Sequence, residues 1–197
     1  NKGDALTGSI LATKISANTT AGFSIVTHTG TGSAGTVDHG LGAKPSFIIT
    51  KGLSDGYNWF VYNQVSGATK ALILSNNGAD TAYSTVFNNT EPDTSLITFG
   101  TATATNGSGI NYVSYVISEI AGYSKIGVYA GGGSGGEFVY LGFRPAWVMI
   151  KSTSASTQWL IFDSTRSPFN LIDDVALTAD ALSGEGFSSG MELDFLS

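Results

Sequence analysis

The groups with which this chain could do chemistry are few: two histidines, fifteen carboxylates and no cysteine among 197 residues. Without cysteine, thiolate nucleophiles, thiolate metal sites and disulfides are excluded. A histidine-based triad needs a serine aligned in space and an oxyanion hole, and no Gly-x-Ser-x-Gly elbow accompanies His28 or His39. The setting Asp38-His39-Gly40 reads as an ordinary strand-edge histidine, with a paired-histidine metal site as the weaker alternative. Glycoside cleavage needs two acids flanking a bond. Asp173, Asp174, Glu185, Glu192 and Asp194 gather near the C-terminus, and Glu91 with Asp93 lies in a turn. Adjacent aspartates read first as a solvated turn, Glu185 sits in the loop "SGEGFSSG", and no Asp-x-Asp-x-Asp spacing suggests calcium. "AGGGSGG" at 130–136 has dinucleotide-fingerprint spacing at Gly131, Gly133 and Gly136. However, the strand-like Glu137-Phe138-Val139-Tyr140 follows where a helix N-terminus is required, so it reads as a hairpin loop. No catalytic residue, cofactor or metal ligand is therefore assigned, and the chain is read as a non-enzyme.

What remains is aromatic. Tyr57, Tyr83 and Tyr129 border Gly/Ser/Asn loops, and an aromatic face beside polar side chains is what glycan binding uses. With Asp55 and Asn58 they are the candidate glycan or partner contacts. The structural alternative, core packing, is assigned to Trp59 and Trp159 and to most other aromatics.

Composition limits the elements that can present these groups. Hydrophobic residues make up 42%, so a core can form; only 12% are charged, about half the usual share of about 25%. Twenty-six glycines amid Ser, Thr and Asn disfavour helices and suit short strands with tight turns. The net charge is −6 and the nine basic residues are scattered, which argues against a phosphate-binding surface and hence against nucleic acid. No apolar run approaches the ~20 residues of a membrane-spanning helix, so membrane insertion is not expected.

The strongest pattern is a self-match at an offset of 100 residues. "GLGAKPSFIITK" at 40–51 answers "YLGFRPAWVMIK" at 140–151. Ala21-Gly22-Phe23-Ser24 aligns with Ala121-Gly122-Tyr123-Ser124, Trp59 with Trp159, and Val61-Tyr62 with Ile161-Phe162. A duplication accounts for this most simply. It predicts an N-terminal segment or linker over 1–20, one β-sandwich repeat over 21–120, and a second over 121–197 that lacks its last strand. Completion by continued chain or by a strand from another copy is expected, and Asn1, not Met, suggests a processed or partial chain. Period-two alternation predicts strands at 23–29, 46–51, 58–63, 70–75, 95–100, 111–120, 125–130, 137–141 and 192–196. Residues 173–183 are the one weak helical candidate. The fold class is all-β: antiparallel, jelly-roll-like sandwich units in tandem. Contact loops are expected at 30–36, 52–57, 130–136 and 152–157.

The segment from Ala21 to Asn63, with "YVSYVISEIAGYSKIG", "GFRPAWVMIK" and "FDSTRSPFNLIDD", resembles a β-rich domain family of bacteriophage virion proteins, of tail-fibre, head-fibre or capsid-decoration type in marine and cyanobacterial phages. The resemblance covers about residues 21–197 and brings no catalytic residues with it. It implies a structural virion protein at the virion surface, extracellular, with other virion proteins as partners. Self-association, a homotrimer first, and host-surface polysaccharide as a further partner are expected alongside. A lectin-like adhesin is the second function and a polysaccharide-degrading enzyme the third.

Overall fold

The computed structural model describes residues 6–131, 136–166, 176–182 and 193. They form two compact units. The first comprises the chain to Ile73 with 80–120 and 124–128; the second comprises 74–79, 121–123 and the described residues from Tyr129 onward.

The first unit is an antiparallel β-sandwich. Its strands are β1 (Ala12–Asn18), β2 (Phe23–Thr29), β3 (Gly35–Asp38), β4 (Phe47–Gly52), β5 (Phe60–Asn63), β6 (Lys70–Ile73), β7 (Thr81–Ala82), β8 (Leu96–Phe99) and β9 (Asn111–Ile117). One helical turn, α1 (Thr103–Asn106), precedes β9. The larger sheet runs β1-β2-β9-β4-β5-β6-β7, and β3 pairs with β8 as a second layer. The hairpin of β4 and β5, apolar on both faces in sequence, lies well inside this sheet, as that pattern demands. β9 does not follow its sequence neighbours to an edge but inserts between β2 and β4.

Register decides which side chains face the core. Ser24, Val116, Ile48 and Tyr62 lie abreast across four strands, and Val26, Ser114, Thr50 and Phe60 form the next row. All eight are buried, and Val37, Ile97 and Phe99 close on them from the β3–β8 layer. Burying such a side chain contributes about 1.5–3 kcal/mol, so these rows hold the sandwich together. Of the polar members, the Thr50 and Ser114 hydroxyls pair at 2.9 Å, whereas Ser24 Oγ is buried without a partner. Phe23 and Ile25 of β2 face outward and are exposed, opposite in parity to the buried Val26.

Several expectations are corrected. Residues 12–18, assigned to an N-terminal segment or linker, form β1, which pairs with β2 along its length. Segments 125–130 and 137–141 are not strands; only an isolated bridge joins Ile120 to Ser124. His39 follows directly on the end of β3 but is fully buried, as is His28 within β2. The helical candidate at 173–183 instead contributes a short strand at Leu177–Thr178, the remainder of its N-terminal part being outside the described residues. Within 192–196 only Leu193 is described, packed against Phe162 and Ala176.

In the second unit β10 (Trp147–Ile150), β11 (Leu160–Asp163) and β12 (Leu177–Thr178) form a three-stranded antiparallel sheet. Its hairpin repeats that of the first unit position for position. Ile48 pairs with Tyr62 and Val148 with Phe162; Thr50 pairs with Phe60 and Ile150 with Leu160. Gln64 N–H donates to the Ser46 carbonyl at 2.9 Å, and Ser164 N–H donates to that of Ala146 at 3.0 Å. Gly42 and Gly142 both hold positive φ, 70° and 82°, before the Pro that opens each strand. The tryptophans differ: Trp159 is buried, whereas Trp59 is half-exposed and stacks on Tyr115.

Candidate contact surface

Three loops meet at one end of the larger sheet. Register sets this, because Thr29 lies opposite Asn111 and Gly52 opposite Tyr112. Loops 30–34, 53–58 and 107–110 therefore leave the sheet together. Backbone bonds tie them: Gly30 N–H to the Ile110 carbonyl at 2.8 Å, Gly32 N–H to that of Asn106 at 2.7 Å, and Leu53 N–H to that of Asn111 at 2.7 Å.

Asn106 is the buried clamp of this end. Its carboxamide oxygen accepts Thr31 N–H at 2.9 Å, and its amide donates to the carbonyls of Ser33 at 2.7 Å and Gly100 at 2.8 Å. Tyr112 works beside it, accepting Gly107 N–H at 2.8 Å and donating to the Thr103 carbonyl. Burial pushes the Tyr112 hydroxyl pKa up. The neighbouring His28 ring lies between Phe99 and Tyr112, with centroids 4.9 and 5.1 Å away. Its Nε2–H donates to the Thr105 carbonyl at 3.3 Å, since a carbonyl can only accept. Burial lowers the His28 pKa to about 4, the Thr105 bond opposing.

The 52–58 loop carries three of the sequence-derived contacts. Lys51 donates to the Asp55 carbonyl at 2.9 Å and to its carboxylate at 3.3 Å. The same carboxylate oxygen accepts Tyr57 N–H at 3.1 Å, while Oδ2 is buried without a partner. Asp55 thus shapes the turn, and Tyr57 and Asn58 stand exposed upon it. Gly52 is required by close approach: a Cβ there would lie 2.2 Å from Asp55 Oδ2. In the second unit the equivalent pair is Ser152 and Ala155. Lys151 again donates to the carbonyl at 155, at 3.4 Å, and Ser152 Oγ accepts Ala155 N–H at 3.1 Å. The volume taken by one side chain in the first turn is taken by the other in the second.

The remaining candidates lie elsewhere. Tyr83 is partly buried against the core, edge-on to Phe60 at 5.3 Å, so it is a packing residue rather than a loop-tip contact. Tyr129 is exposed and belongs to the second unit. The outer face of the larger sheet was missed from sequence. Phe23 and Ile25 are exposed there, and Ile117, Phe47 and Ile49 share that face, half-buried, with the stacked Trp59 and Tyr115, centroids 6.5 Å apart. Apolar residues on both parities of β2 and β9 were the available signal.

Glu91 and Asp93 are both engaged by neighbouring groups. Glu91 accepts the Tyr62 hydroxyl at 2.6 Å and Ala68 N–H at 2.7 Å, with Lys44 at 3.5 Å. Burial opposes ionisation of Glu91, but these partners outweigh it and lower its pKa. Asp93 accepts Ser95 and Leu96 N–H, both at 2.7 Å, and these bonds hold its pKa down. His39 Nε2–H donates to the Asp93 carbonyl at 3.2 Å, which makes His39 part of this turn. Among the described residues no three His, Cys, Asp or Glu side chains gather as a metal site, and no helix is long and apolar enough to cross a membrane. Residues 136–140 form no helix after the glycine run, whose residues 132–135 lie outside the described set, as do Asp173, Asp174, Glu185, Glu192 and Asp194.

A family profile described as "Domain of unknown function (DUF7483)" matches residues 2–197. No curated protein and no solved structure matches the chain.

Proposed function

The chain belongs to that family, and we propose that it is a structural component of a bacteriophage virion, a fibre or capsid-surface appendage that works by assembly. One observation carries the reading: the larger sheet of the first unit is apolar on both faces, with Phe23 and Ile25 exposed on the side away from the core. Exposed apolar side chains on a sheet face suit protein–protein contact, and the low charge of the chain spares an assembled interface the cost of desolvating ions. The resemblance to phage virion domains supports the same reading. The repeated register of β4–β5 and β10–β11 supports an origin by duplication of about 100 residues. A homotrimer is the assembly proposed first, with other virion proteins as partners and the virion surface as the location. Co-sedimentation of the purified chain with capsids or tails of the phage that encodes it tests the reading, and failure to associate with either would refute it.

A specific feature favours host-glycan recognition as a second reading. Tyr57 stands exposed beside Asp55 and Asn58 on a loop held rigid by Lys51. A glycan-array signal abolished by Tyr57→Ala supports it; an unchanged signal refutes it. The local engagement of Glu91, Asp93 and Asp163 gives no support to the polysaccharide-degrading reading.

A further inference from the structure

Glycine follows asparagine at two places in the chain, Asn77-Gly78 and Asn106-Gly107. At such a step the main-chain nitrogen of the glycine can reach the side-chain carbonyl carbon of the asparagine, because no Cβ stands in the way. The structure treats the two sites oppositely. Asn106 is fully buried. Its carboxamide oxygen accepts Thr31 N–H, its amide group donates to the carbonyls of Ser33 and Gly100, and Gly107 N–H is held by the Tyr112 hydroxyl at 2.8 Å. Electrophile, leaving group and nucleophile are thus each engaged elsewhere. Asn77 is exposed, in the loop between β6 and β7, and belongs to no strand or turn. The nucleophile there, Gly78 N–H, donates to the Asn76 carboxamide oxygen at 2.9 Å, a bond between neighbours in the same loop.

We infer that Asn77 is a site of spontaneous covalent modification, deamidation through a succinimide, and that the fold withholds the same reaction from Asn106. The Gly78 nitrogen attacks Cγ of Asn77. The new C–N bond closes the ring, the bond from Cγ to the side-chain nitrogen breaks, and ammonia leaves with the proton that Gly78 gave up. Water then opens the imide at either carbonyl. One opening leaves aspartate; the other leaves isoaspartate, in which the main chain runs through the former side chain and is one carbon longer. Either product adds a negative charge to a chain that already carries −6. The change is confined to the loop, because β6 and β7 pair just beyond it and Asp80 is anchored by Ser66 at 2.8 Å and Lys70 at 3.2 Å. For Asn106 to react, several buried hydrogen bonds must open together. Each slows the step a few-fold to tenfold, so the two sites should differ by roughly a hundredfold or more in rate. This assignment concerns the loop alone and stands apart from the virion reading.

The test is peptide mapping of the full chain after incubation at pH 8, folded and, in parallel, unfolded in urea. Chymotryptic peptides 75–83 and 100–112 separate the two sites, and tandem mass spectrometry locates the exchange of an amide NH2 for OH. In the folded chain, conversion is expected at Asn77, as aspartate and isoaspartate together, with Asn106 intact over the same time. In urea both sites are expected to convert at rates within a few-fold of each other, because the bonds that distinguish them are gone. Gly78→Ala should slow conversion at Asn77 severalfold in the folded chain, since its Cβ crowds the attack. That variant is expected to fold, the nearest atom to the new Cβ being the Asn76 carboxamide oxygen at 3.1 Å. Three results would overturn the inference. An intact Asn77 in the folded chain, while the unfolded chain converts, means that the loop shields it. Equal rates at Asn77 and Asn106 in the folded chain mean that the bonds to Asn106 give no protection. An unchanged rate in Gly78→Ala means that the Gly78 nitrogen is not the nucleophile.

Discussion

His28→Phe should abolish a defined part of the acid sensitivity of this protein. His28 lies buried between the rings of Phe99 and Tyr112, its Nδ1 without a partner. Its pKa falls from 6.5 to about 4 on folding because burial penalises the imidazolium. A lowered histidine pKa means that the unfolded chain binds the proton first. Stability is therefore constant above about pH 7, falls as the pH drops through 6.5, and levels off below about 4. The gap between 6.5 and about 4, at about 1.36 kcal/mol per pH unit, amounts to about 3 kcal/mol in full. About 2 kcal/mol of this is lost by pH 5. Carboxylates with lowered pKa, such as Glu91 and Asp93, hold their stabilisation until the pH falls below their ordinary range, so they act at more acid pH. His39 is present in both proteins and cancels. Urea unfolding of wild type and His28→Phe at pH 8, 6.5 and 5 reads the difference. Phenylalanine keeps a ring between Phe99 and Tyr112, and only the change of stability with pH matters, whatever the variant's absolute stability. If the two proteins lose equal stability between pH 8 and 5, the buried neutral imidazole is the wrong account.

Three further outcomes follow from the same packing. Thr50→Val and Ser114→Ala should each cost about 1–3 kcal/mol by orphaning a buried hydroxyl, while the double variant returns to within about 1 kcal/mol of wild type; strictly additive losses in urea unfolding would contradict this. Asn106→Ala removes three hydrogen bonds of a buried side chain and should cost about 3 kcal/mol, with faster amide exchange at Thr31 and unchanged exchange in β6; a loss under about 1 kcal/mol would show that water replaces the clamp. Gly52→Ala should destabilise by about 1–3 kcal/mol through collision with Asp55, and adding Asp55→Ala should restore most of it, since Ser152 and Ala155 already show that combination in the second unit. Thermal melts of the three proteins decide, and no recovery in the double variant would refute the shared-volume argument.

Local signals in the sequence were sufficient for the class of fold and for its most regular hairpin. Period-two alternation, Gly42 and Pro45 before an apolar run, and a Ser-Asp-Gly turn specify the β4–β5 pair without reference to anything distant. The turn residues Asp55, Tyr57 and Asn58 were legible for the same reason, because a short hairpin holds its own tip. β1 was not, since Ala12–Asn18 alternates weakly and is identified as a strand by its pairing with β2. Nor was Tyr83, whose ring finds Phe60 only after the chain has folded back.

The choice of faces belonged to the tertiary structure. In β2 the sequence offers Phe23 and Ile25 on one side and Ser24, Val26 and His28 on the other, and hydrophobicity alone would bury the first set. The insertion of β9 between β2 and β4 reverses this, placing Ser24, Val26 and His28 against the β3–β8 layer. A period of two is satisfied equally by either face, so only long-range pairing and the layer it meets can select one. The same non-local pairing brings Asn106 to the loops at 30–34 and ties that end of the sheet together. Alternation along the chain thus determined that strands form; which side of them is interior, and which loops meet, was decided by contacts between residues about 80 apart in sequence, which no local pattern encodes.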